Sequence, residues 1–91
     1  MHAVVVTVDI DDFEKARAAL ETDVLPRVKA APGLVAGYWL EPQEDNVGMS
    51  IVVFESQDAA QAASQMVQPG SHPSEFVTVK SMSVREVVAQ V

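Results

Sequence analysis

Two histidines, one tryptophan and one tyrosine are the side chains in this chain best suited to chemistry or ligand recognition. His72 stands in the Pro- and Gly-bearing stretch Pro69–Ser74, which reads as a flexible loop able to act as a lid. An imidazole titrates near neutral pH and is the natural general base. His72 is therefore the candidate catalytic residue, the plainer alternative being a solvated loop histidine. Tyr38 and Trp39 are neighbours in a strand-like segment, so their side chains leave on opposite faces. One is expected to shape a ligand cleft and the other to face a partner, and the sequence leaves open which. Phe13, the first apolar residue of a helical stripe, and Ser50, a small polar position within a strand, complete the candidate binding set.

Other chemistries are excluded by what is missing. The chain has no Cys, so disulfides, thiolate nucleophiles and thiolate-bound metals are ruled out. There is no P-loop, no GxSxG and no HExxH, and Gly33, Gly37, Gly48 and Gly70 are too scattered to cradle a phosphate. Six Lys and Arg against thirteen Asp and Glu give a net charge of −7, which argues against broad contact with nucleic acid or an anionic membrane. No segment approaches the ~20 apolar residues of a membrane span. Met1–Val4 lacks the basic start of a signal peptide, and a cytoplasmic protein is expected.

The elements that must position these residues are legible from periodicity. Ala3–Asp9 is a β-branched run apolar on both alternating faces, as expected of a strand covered on both sides. Asp11 or Asp12 caps a first helix over Asp12–Ala30, whose stripe is Phe13, Ala16, Leu20, Val24 and Val28. Pro26 lies inside it and predicts a kink near Thr22–Leu25, and Pro32-Gly33 ends it. Strands follow at about Leu34–Glu41 and Val47–Glu55, joined by a polar hairpin. Ser56 caps a second helix over Gln57–Val67, rich in alanine, and Pro69-Gly70 closes it. The last strand falls within Phe76–Val88, although Ser81 and Ser83 weaken its middle.

The order is thus β-α-β-β-α-β over one domain, residues 1–91. Two right-handed split βαβ units give an α+β, ferredoxin-like fold: a four-stranded antiparallel sheet of order 4-1-3-2, with both helices on one face. With 48% hydrophobic residues in so short a chain, the other face is expected to be covered by a second copy, giving a homodimer packed sheet to sheet. In this topology His2 and His72 fall at opposite ends of the sheet, which argues against a metal site shared between them. Eight of the thirteen acids (Asp9, Asp11, Asp12, Glu14, Glu41, Glu44, Asp45 and Glu75) gather at one end. Helix capping and solvated loops account for them better than a divalent-cation site. Arg85, in the last strand, is expected to form an edge or interface ion pair.

Several segments together carry a family resemblance. They are Val4–Val8 as first strand, Leu25-Pro26 late in the first helix, Pro32-Gly33-Leu34-Val35, Gly37-Tyr38-Trp39-Leu40, and Ile51–Ser56 leading into an Ala-rich helix. In these the chain resembles the dimeric α/β-barrel superfamily and, within it, the antibiotic-biosynthesis-monooxygenase-like proteins. The resemblance implies a ligand cleft between helices and sheet in each protomer. It also implies oxidation of an electron-rich aromatic substrate directly by oxygen, with no metal or flavin cofactor. The fit is partial: Asn46, the only Asn, lies in the hairpin, and the second helix has neither Trp nor His, so the haem-degrading arrangement of the superfamily is absent. The expected function is a monooxygenase-like protein acting on a small aromatic or hydrophobic metabolite. The alternatives are a non-catalytic ligand-binding or regulatory module and a purely structural dimer.

Overall fold

The computed structural model describes residues 1–43 and 46–91. β1 (His2–Ile10) leads into α1 (Phe13–Ala19), a π-helical turn (Leu20–Val24) and α2 (Leu25–Lys29). β2 (Leu34–Leu40) and β3 (Val47–Phe54) follow, then α3 (Gln57–Ser64) with a 3₁₀ turn (Gln65–Val67), and finally β4 (Val77–Glu86). The strands form one antiparallel sheet of order β2-β3-β1-β4, which is the expected order read from the other edge. No helix among the described residues is long and apolar enough to cross a membrane.

The first helix is broken where Pro26 predicts. Proline has no N–H and crowds the carbonyl four residues before it, here that of Thr22. The chain widens into the π turn just upstream, closed by the Leu25 N–H donating to the Leu20 carbonyl. Caps act at both helix starts. The Asp12 carboxylate accepts from the Lys15 N–H at 3.1 Å, and the Ser56 hydroxyl from the Ala59 N–H at 3.1 Å. Gly33 takes φ 77°, a left-handed conformation that suits glycine after a helix, and its carbonyl accepts from the Glu55 N–H at 2.8 Å.

Register assigns every strand residue to a face, because directly opposed residues of an antiparallel pair point the same way. Val4, Val6, Val8 and Ile10 of β1 share the helix-bearing face with Gly48, Ser50, Val52 and Phe54 of β3. Both edge strands carry a bulge that resets the alternation. In β4 the register shifts at Lys80, so Val77 and Val79 before it and Met82 and Val84 after it all reach the helix face, while Ser81 and Ser83 face the other way. The poor alternation of this strand is the sequence trace of the bulge. In β2 the shift falls at Val35, with Leu34 opposed to Phe54 but Ala36 opposed to Val53.

The core is compact and lies under α3. Val4, Val6, Val52, Phe54, Ala60 and Val79 form one buried cluster, and α3 contacts β1, β3 and β4. Alanine at the contact lets helix and sheet approach closely, and Ala60 is fully buried. The opposite sheet face bears Val5 and Thr7 of β1, Met49, Ile51 and Val53 of β3, and Tyr38 and Leu40 of β2. It leaves Tyr38 59%, Leu40 49% and Met49 42% exposed.

Phe54, only 2% exposed, is the largest side chain of the core. Phe54→Ala is expected to cost about 3–5 kcal/mol in urea unfolding. A loss near zero would place the stabilising core elsewhere.

Candidate functional site

Where α3 packs tightly, the first helix does not. A cavity of about 630 Å³ separates it from the sheet, within the range of small-molecule sites. Its floor is Val4, Val6, Val8 and Ile10, together with Ser50, Val52 and Trp39. Its roof is the first helix, through Phe13, Ala16, Leu20, Val24 and Val28, and the loop residues His72–Ser74 close one side. The apolar stripe read from sequence is therefore the lining of a cavity more than the seam of a close contact.

Trp39 faces this cavity and Tyr38 does not. The bulge at Val35 decides it: with Leu34 on the helix face, unbroken alternation would carry Tyr38 there, and the extra residue hands the position to Trp39 instead. Space for the indole comes from Gly37. A Cβ on Gly37 would lie 2.9 Å from two carbons of the Trp39 ring, so the six-membered end of the indole occupies the space over the glycine. On the neighbouring strand, a Cβ on Gly48 would meet Ile10 Cδ1 at 2.9 Å, leaving that part of the floor to the β1 side chains.

Of the other expected site residues, Phe13, Ser50 and His72 all line the cavity. His72 Nδ1 lies 3.2 Å from the Val77 carbonyl oxygen and 3.2 Å from Thr78 Oγ1. The Val77 carbonyl only accepts, so it is served by a proton on Nδ1, whereas the Thr78 hydroxyl can either donate to that nitrogen or accept from it. His2 is far away. It opens β1 opposite Phe54 and Glu86, whereas Ile10 at the other end of β1 pairs with Val77, near His72. Among the described residues no three His, Asp or Glu side chains form a group that could hold a metal ion. At the acidic end, Asp12 caps α1, and Glu44 and Asp45 lie outside the described residues. Arg85 Nε donates to Ser83 Oγ at 3.2 Å on the open face.

Four charged or polar lining residues lie outside the expected site set: Arg17, Arg27, Glu41 and Ser74. Arg17 and Arg27 were detectable, because they fall at helical spacing from Phe13 and Val24 within the same stripe. Arg27 bridges the helix and the loop. Its Nε donates to the Asp23 carbonyl at 3.1 Å and its Nη2 to the Pro73 carbonyl at 2.8 Å. Ser74 contributes a hydroxyl that is shielded from solvent with no hydrogen-bond partner among the described residues.

Comparison of the chain with protein-family models, curated proteins and solved structures finds no match. The cavity wall can be tested directly through Gly37. Gly37→Ala forces the indole to move, and is expected to shift Trp39 fluorescence and to cost about 1–3 kcal/mol in urea unfolding. An unchanged spectrum together with unchanged stability would mean that the ring is not held across Gly37.

Proposed function

We propose that the chain is a monooxygenase-like protein that binds a small aromatic or hydrophobic metabolite between the first helix and the sheet, and oxidises it without a cofactor. The observation that carries this reading is the 630 Å³ cavity, walled by Trp39 and Phe13 and bordered by His72. A flat apolar ligand stacks on the indole, where large aromatic area is available. Ser50 supplies a hydroxyl to orient it. A ring hydroxyl of the ligand passes its proton to His72 Nε2. The resulting anion bonds to dioxygen at a ring carbon, takes the proton back as a hydroperoxide and loses water. One oxygen atom thus stays as a second ring carbonyl, the other leaves as water, and the ring gives up four electrons to dioxygen. A cavity of this size disfavours the reading of a structural dimer with a collapsed core.

In this reading the protein acts as a homodimer, with the open sheet face of each copy packed on the other. The apolar residues of that face, Tyr38, Leu40 and Met49, support it, since contiguous exposed apolar patches are uncommon on soluble monomers. Sedimentation at micromolar concentration is expected to show twice the 9.8 kDa chain mass. A lone 9.8 kDa species removes the dimer.

A second reading, a non-catalytic binding module, is favoured by one feature. His72 is the only histidine of the lining among the described residues, and it is exposed. Thermal-shift screening of aromatic metabolites followed by oxygen-uptake measurements separates the two. Catalysis predicts oxygen consumption with a stabilising ligand, reduced about 100-fold or more in His72→Gln. Saturable binding with no oxygen uptake identifies a binding module.

A further inference from the structure

We infer that the ligand of this cavity is an amphipathic anion, an apolar body carrying a carboxylate or similar acid at one end, and that Arg27 receives the acid. This rests on the cavity being a small-molecule site and narrows what that molecule is. Acids outnumber Lys and Arg by thirteen to six over the whole chain. Around the cavity the balance reverses. Among the described residues the lining holds Arg17 and Arg27 against one carboxylate, Glu41. Glu41 follows β2, while the loop touched by Arg27 precedes β4, at the other edge of the sheet. The positive side of the cavity is thus distinct from its acidic corner.

Arg27 is pre-positioned for an anion. Its contacts to the Asp23 and Pro73 carbonyls fix the side chain between helix and loop without neutralising it. A guanidinium has more N–H donors than these two contacts use, arranged as a planar fork that matches a carboxylate. Next to Pro73, the shielded Ser74 hydroxyl lacks a partner among the described residues and can donate to the same acid group. Most of the remaining lining, Val4, Val6, Phe13 and Trp39 among it, suits hydrocarbon. A neutral ligand would satisfy the apolar lining, leaving the shielded Ser74 hydroxyl without an acceptor and the exposed Arg27 guanidinium to water.

Three probes with the same eight-carbon body test this: octanoate, octan-1-ol and octylammonium. Each is titrated into the full chain and followed by Trp39 fluorescence, the only Trp signal in the protein. Octanoate is expected to bind about tenfold more tightly than octanol, the ratio expected of one charge-assisted hydrogen bond. Octylammonium is expected to bind weakest, and added salt to narrow the gap. In Arg27→Gln, octanoate should fall to the octanol affinity while octanol binding is unchanged. Should Arg27→Gln lose octanol binding as well, Arg27→Lys decides: a retained octanoate preference supports the assignment, and equal affinities overturn it. Equal binding of octanoate and octanol to the native chain, or a preference that survives in Arg27→Gln, overturns the inference and leaves the cavity-binding proposal standing. If none of the three binds, the cavity-binding proposal itself fails.

Discussion

A β-strand sends successive side chains to opposite faces, and the division of labour in this molecule depends on where that alternation is kept and where it is broken. β1, paired along both edges, keeps it throughout, with Val4, Val6 and Val8 on one face and Val5 and Thr7 on the other. The two edge strands each break it once. Inserting one residue at Val35 turns the indole of Trp39 inward and the phenol of Tyr38 outward. Inserting one at Lys80 keeps Val79 and Met82 on a single face and sends the intervening Ser81 to the open side. Without these insertions the aromatic wall of the cavity and the hydrophobic floor beneath α3 would each be out of phase with β1.

The helices then divide the covered face unequally. α3 presents alanine to the sheet and closes over Phe54 and Val79, so core packing is concentrated there. The first helix presents Phe13, Leu20, Val24 and two arginines, and interrupts its own geometry with a π turn above Pro26. Large, partly charged side chains on a bent helix do not settle onto a flat sheet as a row of alanines does. The volume left between them is the cavity. Stability and the candidate site nevertheless share side chains: Val4, Val6, Val52 and Phe54 belong to the buried cluster and also line the cavity, so a change at any of them reaches both.

The contact between Arg27 and the Pro73 carbonyl joins two features that sequence treats as separate, the proline-disturbed helix and the loop bearing His72. The same loop is held from its other side by β4. The Ser71 carbonyl accepts from the Val79 N–H at 2.9 Å, and His72 Nδ1 sits against Val77 and Thr78. A segment that reads as flexible between Pro69 and Ser74 is thus anchored at both borders of the cavity, which favours a fixed wall over a free lid.

What the amino-acid sequence determined by itself is the set of elements and their order. β-branched runs, the apolar stripe from Phe13 to Val28, the Asp12 and Ser56 caps and the Pro-Gly stops are local signals, written within a few residues of the structure they specify. They carried the antiparallel sheet, its strand order and the break near Pro26. Local signals do not state which aromatic turns inward. That depends on a bulge whose register is set by the partner strand, so the choice between Tyr38 and Trp39 belonged to the tertiary structure. So did the separation of the first helix from the sheet and the bond from Arg27 to Pro73, which spans 46 positions of chain. Such contacts arise only when distant segments are packed together, because nothing in the residues adjoining either partner requires the other.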